Sequence, residues 1–398
     1  MEYLSSRVKN MEESATIAMA QKARELKNAG KDIISLSLGE PDFKTPKNIQ
    51  NAAKEAIDSE NYFSYSPVPG YLDLREAIAE KLQTGNKIPC APENIVVSTG
   101  AKHSIANVFL ALLDAGDEVI VYTPFWVSYI EMVKMAGGVP KLLEGTIDQE
   151  FKATAQQLEE AITPKTKAII FSSPCNPTGA VWSEEELRAI SEVVLKHDNL
   201  FVIADEIYEY INFTGKHASI ASLPEMFERT ITVNGFSKGY AMTGWRLGYI
   251  CAPLPVAKAC SKIQGQFTSG SCSIAQRAGI EALKGDQAER LKMAEAYRNR
   301  RALVKELLDE IPGLKTPMPE GAFYFFPDVS AYFGKKFGNQ VIGNAGDLAM
   351  YLLSEANVST VSGAAFGAPK CIRLSYAASE SELKEALKRI KESLAQLK

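Results

Sequence analysis

Short apolar runs alternate with amphipathic stretches through the middle of the chain. Residues 94–98, 118–122, 167–172, 200–204, 230–233 and 247–251 are dense in Val, Ile, Leu and Ala, the pattern of strands buried on both faces. Between several of them, residues 102–113 and 184–196 repeat their apolar positions at a period near 3.6, which predicts helices. Ser183 followed three residues later by Glu186 predicts a capping box at the start of the second helix. This β-α-β alternation implies an α/β fold with a largely parallel sheet covered on both sides, and such sheets bind ligands at the carboxyl ends of their strands.

After about residue 285 the pattern changes. A charged amphipathic stretch, 287–308, predicts a long helix that leads through Pro312-Gly313 into an aromatic strand at 321–326. A helix at 345–355, a short strand near 358–361 and a strand at 371–376 follow. Ser379 and Glu382 then cap a last amphipathic helix running to Leu397. The glycine-rich piece 333–346 reads as a surface loop. These elements predict a smaller α+β domain at 286–398, after a large domain at 46–285 and an N-terminal segment at 1–45.

The composition is that of a globular chain: 46% hydrophobic and 23% charged over 398 residues. A net charge of −4 gives no broad attraction to nucleic acid or to an anionic membrane. The six cysteines are scattered with no Cys-x-x-Cys pair, so neither a zinc site nor a disulfide framework is expected. The first seven residues lack the apolar core of a secretory leader, and no apolar run reaches the roughly 18 residues of a membrane span. A soluble protein of a reducing, cytoplasmic setting is the expectation. His103, His197 and His217 are expected to be structural or solvated, with no metal site.

Candidate chemistry gathers where the predicted strands end. Lys238 stands in Gly235-Phe236-Ser237-Lys238-Gly239, with Arg246 eight positions on. A lysine that condenses with a carbonyl cofactor needs small neighbours around its amine, and a nearby fixed cation suits a phosphate; a solvated lysine in a turn is the plainer alternative. Asp205 directly follows an apolar run, so it needs a cationic partner if buried, although a helix cap or loop salt bridge would also serve. Tyr208 lies three residues further on, where it could as well be packing. Asn176 sits in Ser-Pro-Cys-Asn-Pro-Thr-Gly, a turn held by two prolines. Gly100-Ala101-Lys102 opens a helix whose N–H groups could meet a phosphate, without the spacing of a P-loop. Trp126 could stack on a flat ring or fill core. Arg373 is the only charge of its strand, suited to a substrate carboxylate or to a structural salt bridge.

In this order the motifs resemble those of the fold-type I pyridoxal-phosphate enzymes, specifically the class I aspartate aminotransferase group and its prokaryotic subgroup Ib. The resemblance runs from Leu38-Gly39-Glu40-Pro41-Asp42-Phe43 to the Arg373 strand. It implies a large domain built on a mostly parallel seven-stranded sheet, with the N-terminal segment joining the small domain and covering the site. It also implies a homodimer acting on amino acids and 2-oxo acids. Lys238 would carry pyridoxal 5′-phosphate as a Schiff base and shuttle the proton. Asp205 would hold the ring nitrogen, Asn176 and Tyr208 the phenolic oxygen, and Trp126 the ring face. Arg246 and the backbone of Gly100, Ala101 and Lys102 would take the phosphate, joined by Tyr65 from the neighbouring subunit; Ser237 would also contact the cofactor, and Trp126 the substrate. Arg373, Asn176 and the Gly39 backbone would bind the α-carboxylate, and Lys102 and Thr16 the distal end of an acidic substrate. Glu12 departs from the lysine of relatives that use prephenate, which argues against that acceptor.

Transfer of the amino group of L-aspartate to 2-oxoglutarate by a ping-pong mechanism is therefore the expected activity. An aromatic, alanine or methionine aminotransferase, or a carbon–sulfur lyase, is the alternative on the same fold. A ligand-sensing regulator is disfavoured, because the Gly39 motif begins too early to leave room for a DNA-binding domain.

Overall fold

The computed structural model describes residues 3–398; Met1 and Glu2, part of the stretch read above for a leader, lie outside them. Seven strands build the central sheet: β1 (Ile95–Ser98), β2 (Glu118–Thr123), β3 (Val139–Glu144), β4 (Thr166–Ser172), β5 (Phe201–Asp205), β6 (Thr230–Gly235) and β7 (Gly248–Cys251). Their order is β1-β7-β6-β5-β4-β2-β3. All neighbours run parallel except β7, which is antiparallel to both β1 and β6. That single reversal matters, because it brings the beginning of β7 to the edge where β1, β4, β5 and β6 end.

Alternation along the strands divides the core into two layers. Val119, Val121, Ile170 and Ile203 point to one face, where they pack with α1 (Ala101–Leu112) through Ile105, Val108 and Phe109. Ile120, Ile169, Phe171 and Val202 point to the other and meet α2 (Glu184–Val194) through Leu187, Ile190 and Val194. With both faces covered, the strands carry apolar side chains in both directions, hence the near-continuous runs in the sequence. Ser183 and Glu186 form the expected reciprocal cap: the Ser183 N–H donates to the Glu186 carboxylate at 2.8 Å and the Glu186 N–H to Ser183 Oγ at 3.2 Å.

The C-terminal part contains α3 (Ala288–Asp309), α4 (Ala345–Glu355) and α5 (Glu380–Leu394) around a three-stranded sheet. That sheet comprises β8 (Tyr324–Phe325), β9 (Val361–Ser362) and β10 (Ile372–Ser375) in the order β9-β10-β8, antiparallel throughout. Its core is shared with the chain's beginning. Ile34 and Leu36 pack among Tyr297, Leu308, Leu352 and Leu374, and Ile34–Ser35 pairs parallel with Val358–Ser359.

Several expectations need correction. The apolar pattern yields six of the seven central strands and misses β3, whose Pro140 and mostly solvent-facing side chains are those of an edge strand. The run 321–326 is strand only at Tyr324–Phe325. The single strand read near 358–361 is two, Val358–Ser359 and Val361–Ser362, each with its own partner. The loop expected at 333–346 holds a small hairpin pairing Lys336–Phe337 with Gln340–Val341.

Candidate active site

The strand ends surround a cleft of about 490 Å³ whose lining includes Lys238, Asp205, Asn176, Tyr208, Trp126 and Arg373. Gly39, Ala101, Lys102, Ser237, Arg246 and Thr16 line the same cleft. Of the residues singled out from the sequence, Gly100 adjoins it and Tyr65 does not: Tyr65 is 97% exposed. Glu12 is also outside the lining, its N–H donated to the Glu131 carboxylate.

One end of the cleft gathers the start of a helix and an arginine. Helix α1 starts at Ala101, directly beyond β1, so its first N–H groups and the positive end of its dipole face the opening. Gly100 has φ of +88°, and a Cβ there would stand 2.6 Å from an Arg246 guanidinium nitrogen, so two constraints demand glycine. A Cβ on Gly248 would collide with the Ala101 backbone nitrogen, so its bare backbone lets the helix start sit on the sheet. Arg246 precedes the reversed strand β7 and is held by donating to the Thr243 carbonyl at 2.8 Å.

The segment after β5 faces two ways. Asp205 and Tyr208 turn into the cleft, while Glu206 and Glu209 turn into a buried polar cluster. There Ser219 and His217 bond Glu206 at 2.6 and 2.9 Å, and Lys81 pairs with Glu209. Burial alone would keep His217 neutral, but the Glu206 carboxylate outweighs it and raises its pKa. His103 is structural too, accepting from the Thr99 N–H at 3.3 Å.

Asp205 is 5% exposed, accepting from Tyr129 Oη at 2.6 Å and the Ile207 N–H at 3.2 Å. Burial dominates those two donors and pushes its carboxyl up to about 6. The Lys238 amine donates to the Gly39 carbonyl. Burial lowers its pKa to about 8 against the pull of Glu40, helped by the charges of Arg373 and Arg246. Lys102 lies with its ammonium 4.9 Å from the Trp126 ring centroid; desolvation, then Arg246, lowers its pKa.

Arg373 is 1% exposed. Its guanidinium donates to Asn176 Oδ1 at 2.9 Å and to the Ser37 carbonyl at 2.7 Å. It lies over the rings of Tyr324 and Phe366 at 4.5 and 4.9 Å, and its Nε has no partner. Among the described residues no carboxylate pairs with it, so the structural salt bridge left open by the sequence is not made.

Sequence reasoning missed several lining residues: Tyr129, Ser172, Tyr324, Glu40 and the α-helical face of Ile17, Gln21 and Arg24. Tyr129 follows Trp126 by three positions, a helical spacing that could have flagged it. Tyr324 carries no such signal, since tyrosine in an aromatic run reads as packing.

Known proteins resemble this chain over nearly its whole length. Residues 31–390 match the family described as Aminotransferase class I and II. The chain is 44% identical to an aspartate/prephenate aminotransferase of Cereibacter sphaeroides, over 98% of each sequence. Among solved structures it resembles an aspartate aminotransferase of Rhizobium meliloti, with a TM-score of 0.96 and 40% identity over 99% of each chain. It also resembles that of Thermus thermophilus with maleate, with a TM-score of 0.93 and 42% identity over 99% of this chain and 100% of the other. The chain belongs to the class I and II aminotransferases, a family of pyridoxal-phosphate-dependent transaminases.

Proposed function

We propose that this chain is an aspartate aminotransferase, moving the amino group of L-aspartate to 2-oxoglutarate in two half-reactions at Lys238. The observation that carries the reading is Arg373: a buried guanidinium without a carboxylate partner, lining the same cleft as a lysine with a depressed pKa. An unpaired buried cation is costly, and a substrate α-carboxylate offsets that cost with paired hydrogen bonds.

The residues present fit pyridoxal phosphate. Asp205 is a buried carboxylate that accepts hydrogen bonds from a neutral phenol and a backbone N–H, so a protonated ring nitrogen would complete it. The start of α1 with Arg246 and Ser237 suits the phosphate. Asn176 uses its carbonyl on Arg373, leaving its amide N–H groups, with the Tyr208 hydroxyl, for the phenolic oxygen. When bound, the cofactor supplies an aldehyde for linkage to Lys238 and a cationic ring that accepts electrons released at the substrate Cα. Nζ of Lys238, its pKa lowered to about 8 by burial, takes the Cα proton once substrate has freed it. Trp126 covers the ring face. Lys102 and Thr16, in the lining of the same cleft, favour a second carboxylate at the substrate's far end.

The homodimer belongs to the same reading. Phe63, Tyr65 and Phe267 expose their rings, and their segments are tied together where Ser66 Oγ donates to the Ser271 carbonyl at 2.9 Å; a second copy would cover them and receive Tyr65. A division at residues 45 and 285 belongs to the same proposal, supported by Ile34 and Leu36 packing with Leu352 and Leu374 while Ile49 and Ala53 pack with Leu74 and Ile95. No described helix is long and apolar enough to cross a membrane, and six unpaired cysteines suit a cytoplasmic setting.

The test is a spectrum of purified protein before and after aspartate, with oxaloacetate measured once 2-oxoglutarate is added. Loss of the Lys238 linkage band on adding aspartate, absent in Lys238→Ala, supports the reading. A bound cofactor unmoved by aspartate but discharged by aromatic, alanine or methionine donors would replace the substrate, and pyruvate release from cystathionine would indicate the lyase. Prephenate as acceptor tests the bearing of Glu12.

A further inference from the structure

Besides the Arg373–Asn176 contact, a hydrogen bond in the cleft joins two tyrosines from different parts of the chain. Tyr208, beyond β5, and Tyr324, on β8, share a hydrogen bond of 2.7 Å between their hydroxyl oxygens, both side chains being buried. Tyr324 also carries the Arg373 guanidinium 4.5 Å above its ring, because Ser375 pairs with Tyr324 in the β10–β8 register and sets the two strands side by side. Gly39 leaves room for this arrangement: a Cβ there would stand 2.5 Å from the Tyr324 hydroxyl. Arg373, Tyr324 and Tyr208 therefore form an unbroken chain of contacts from the carboxylate pocket towards the cofactor.

We propose that Tyr324 is a positioning residue that relays occupancy of the Arg373 carboxylate site to Tyr208, and through it to the phenolic oxygen of the cofactor. The inference rests on the reading of the site given above. A phenol has one proton. If Tyr208 spends its own on the cofactor oxygen, the proton between the two tyrosines must come from Tyr324. A cation over an aromatic face draws electron density from the ring, so the bare guanidinium makes Tyr324 a stronger donor. A stronger donor polarises Tyr208, which then withdraws more charge from the phenolic oxygen. Less charge on that oxygen makes the neighbouring Lys238 linkage nitrogen less basic. When a carboxylate neutralises Arg373, each effect reverses and the nitrogen holds its proton to higher pH. The proton that substrate binding requires on that nitrogen is thus favoured only once the carboxylate is seated.

Tyr324→Phe tests this in the holoenzyme, since it removes one oxygen and keeps the ring beneath Arg373. The readout is the pH midpoint of the Lys238 linkage absorbance, with and without maleate, a dicarboxylate that has no amine to react. In the ligand-free variant the midpoint is expected to rise by roughly half a pH unit, the share of one charge-assisted bond that a second bond contributes cooperatively. The further rise on adding maleate is expected to be smaller than in wild type, because only the Asn176 route remains. Gly39→Ala, which displaces the same hydroxyl, is expected to move the ligand-free midpoint in the same direction and covers the case of a Tyr324→Phe protein that does not fold. Midpoints equal to wild type in either soluble variant, an undiminished maleate response, or a wild type indifferent to maleate would each overturn the relay. A wild type without any linkage band overturns the site reading itself, a distinct result.

Discussion

The ionisation of Asp205 gives the most direct test of how this site is built. Burial raises the carboxyl from 3.8 to about 6 in the protein without cofactor. At 1.36 kcal/mol per unit, that shift of about 2 units corresponds to roughly 3 kcal/mol of destabilisation when the group is fully ionised. The sign follows from linkage: the folded form binds the proton more tightly than the unfolded one. That penalty is therefore absent below about pH 4, where the fold keeps its full stability, and stability is lost as pH rises through about 6. Asp205→Asn keeps an acceptor for Tyr129 and removes the titration. The assay is denaturant unfolding of apo wild type and apo Asp205→Asn. The gap between them should shift in favour of the variant by about 1.4 kcal/mol between about pH 5 and about pH 8, the part of the linkage integral lying in that window. With pyridoxal phosphate bound, the ring cation meets the carboxylate and the preference reverses, so holo wild type should exceed the holo variant at the higher pH. Parallel pH profiles for the two apo proteins would refute the claim that burial sets this carboxyl's charge state.

Three further outcomes are expected. Arg373→Lys loses the fork that meets a carboxylate with two bonds, so kcat/KM for aspartate should fall about a hundredfold, the equivalent of one hydrogen bond to a charged group; an unchanged value would remove Arg373 from substrate binding. Gly100→Ala places a side chain at φ of +88° against Arg246, so retention of the cofactor phosphate, read by equilibrium titration of the apo protein, should weaken about tenfold. His217→Gln removes a cation beside Glu206. The folded-state pKa of His217 is raised, so the stability advantage of wild type should be largest below about pH 6.5 and vanish as pH rises through the folded value; an advantage that grows with pH would contradict the ion pair.

The parts of the chain that could be read without coordinates are those where burial on both faces leaves an unmistakable composition. The strands ending at Ser98, Ser172, Asp205 and Gly235 belong to that class; the helices capped by Ser183 and Ser379 were legible instead from their caps and one-sided apolar period. Edge strand β3 does not, because one side of it faces solvent and its residues need not be apolar. The short strands Tyr324–Phe325 and Val361–Ser362 are defined by their neighbours rather than by any local preference. Of the residues that meet in the cleft, Lys238, Asp205 and Arg373 were also recoverable, since lysine, aspartate and arginine next to apolar runs are costly without a purpose, whereas Tyr129 and Tyr324 were missed.

What the sequence alone determined is therefore the succession of elements and the identity of the charged groups at their ends, both consequences of local composition. Only the tertiary structure decided how those groups behave. The reversal of β7 brings Arg246 to the carboxyl edge of the sheet, and packing leaves Arg373 buried with carbonyls and rings instead of a carboxylate. Folding also joins Tyr208 to Tyr324 across 116 positions of chain. Desolvation and pairing are set by what surrounds a residue in space, and neighbours so distant in sequence leave no periodic trace along the chain.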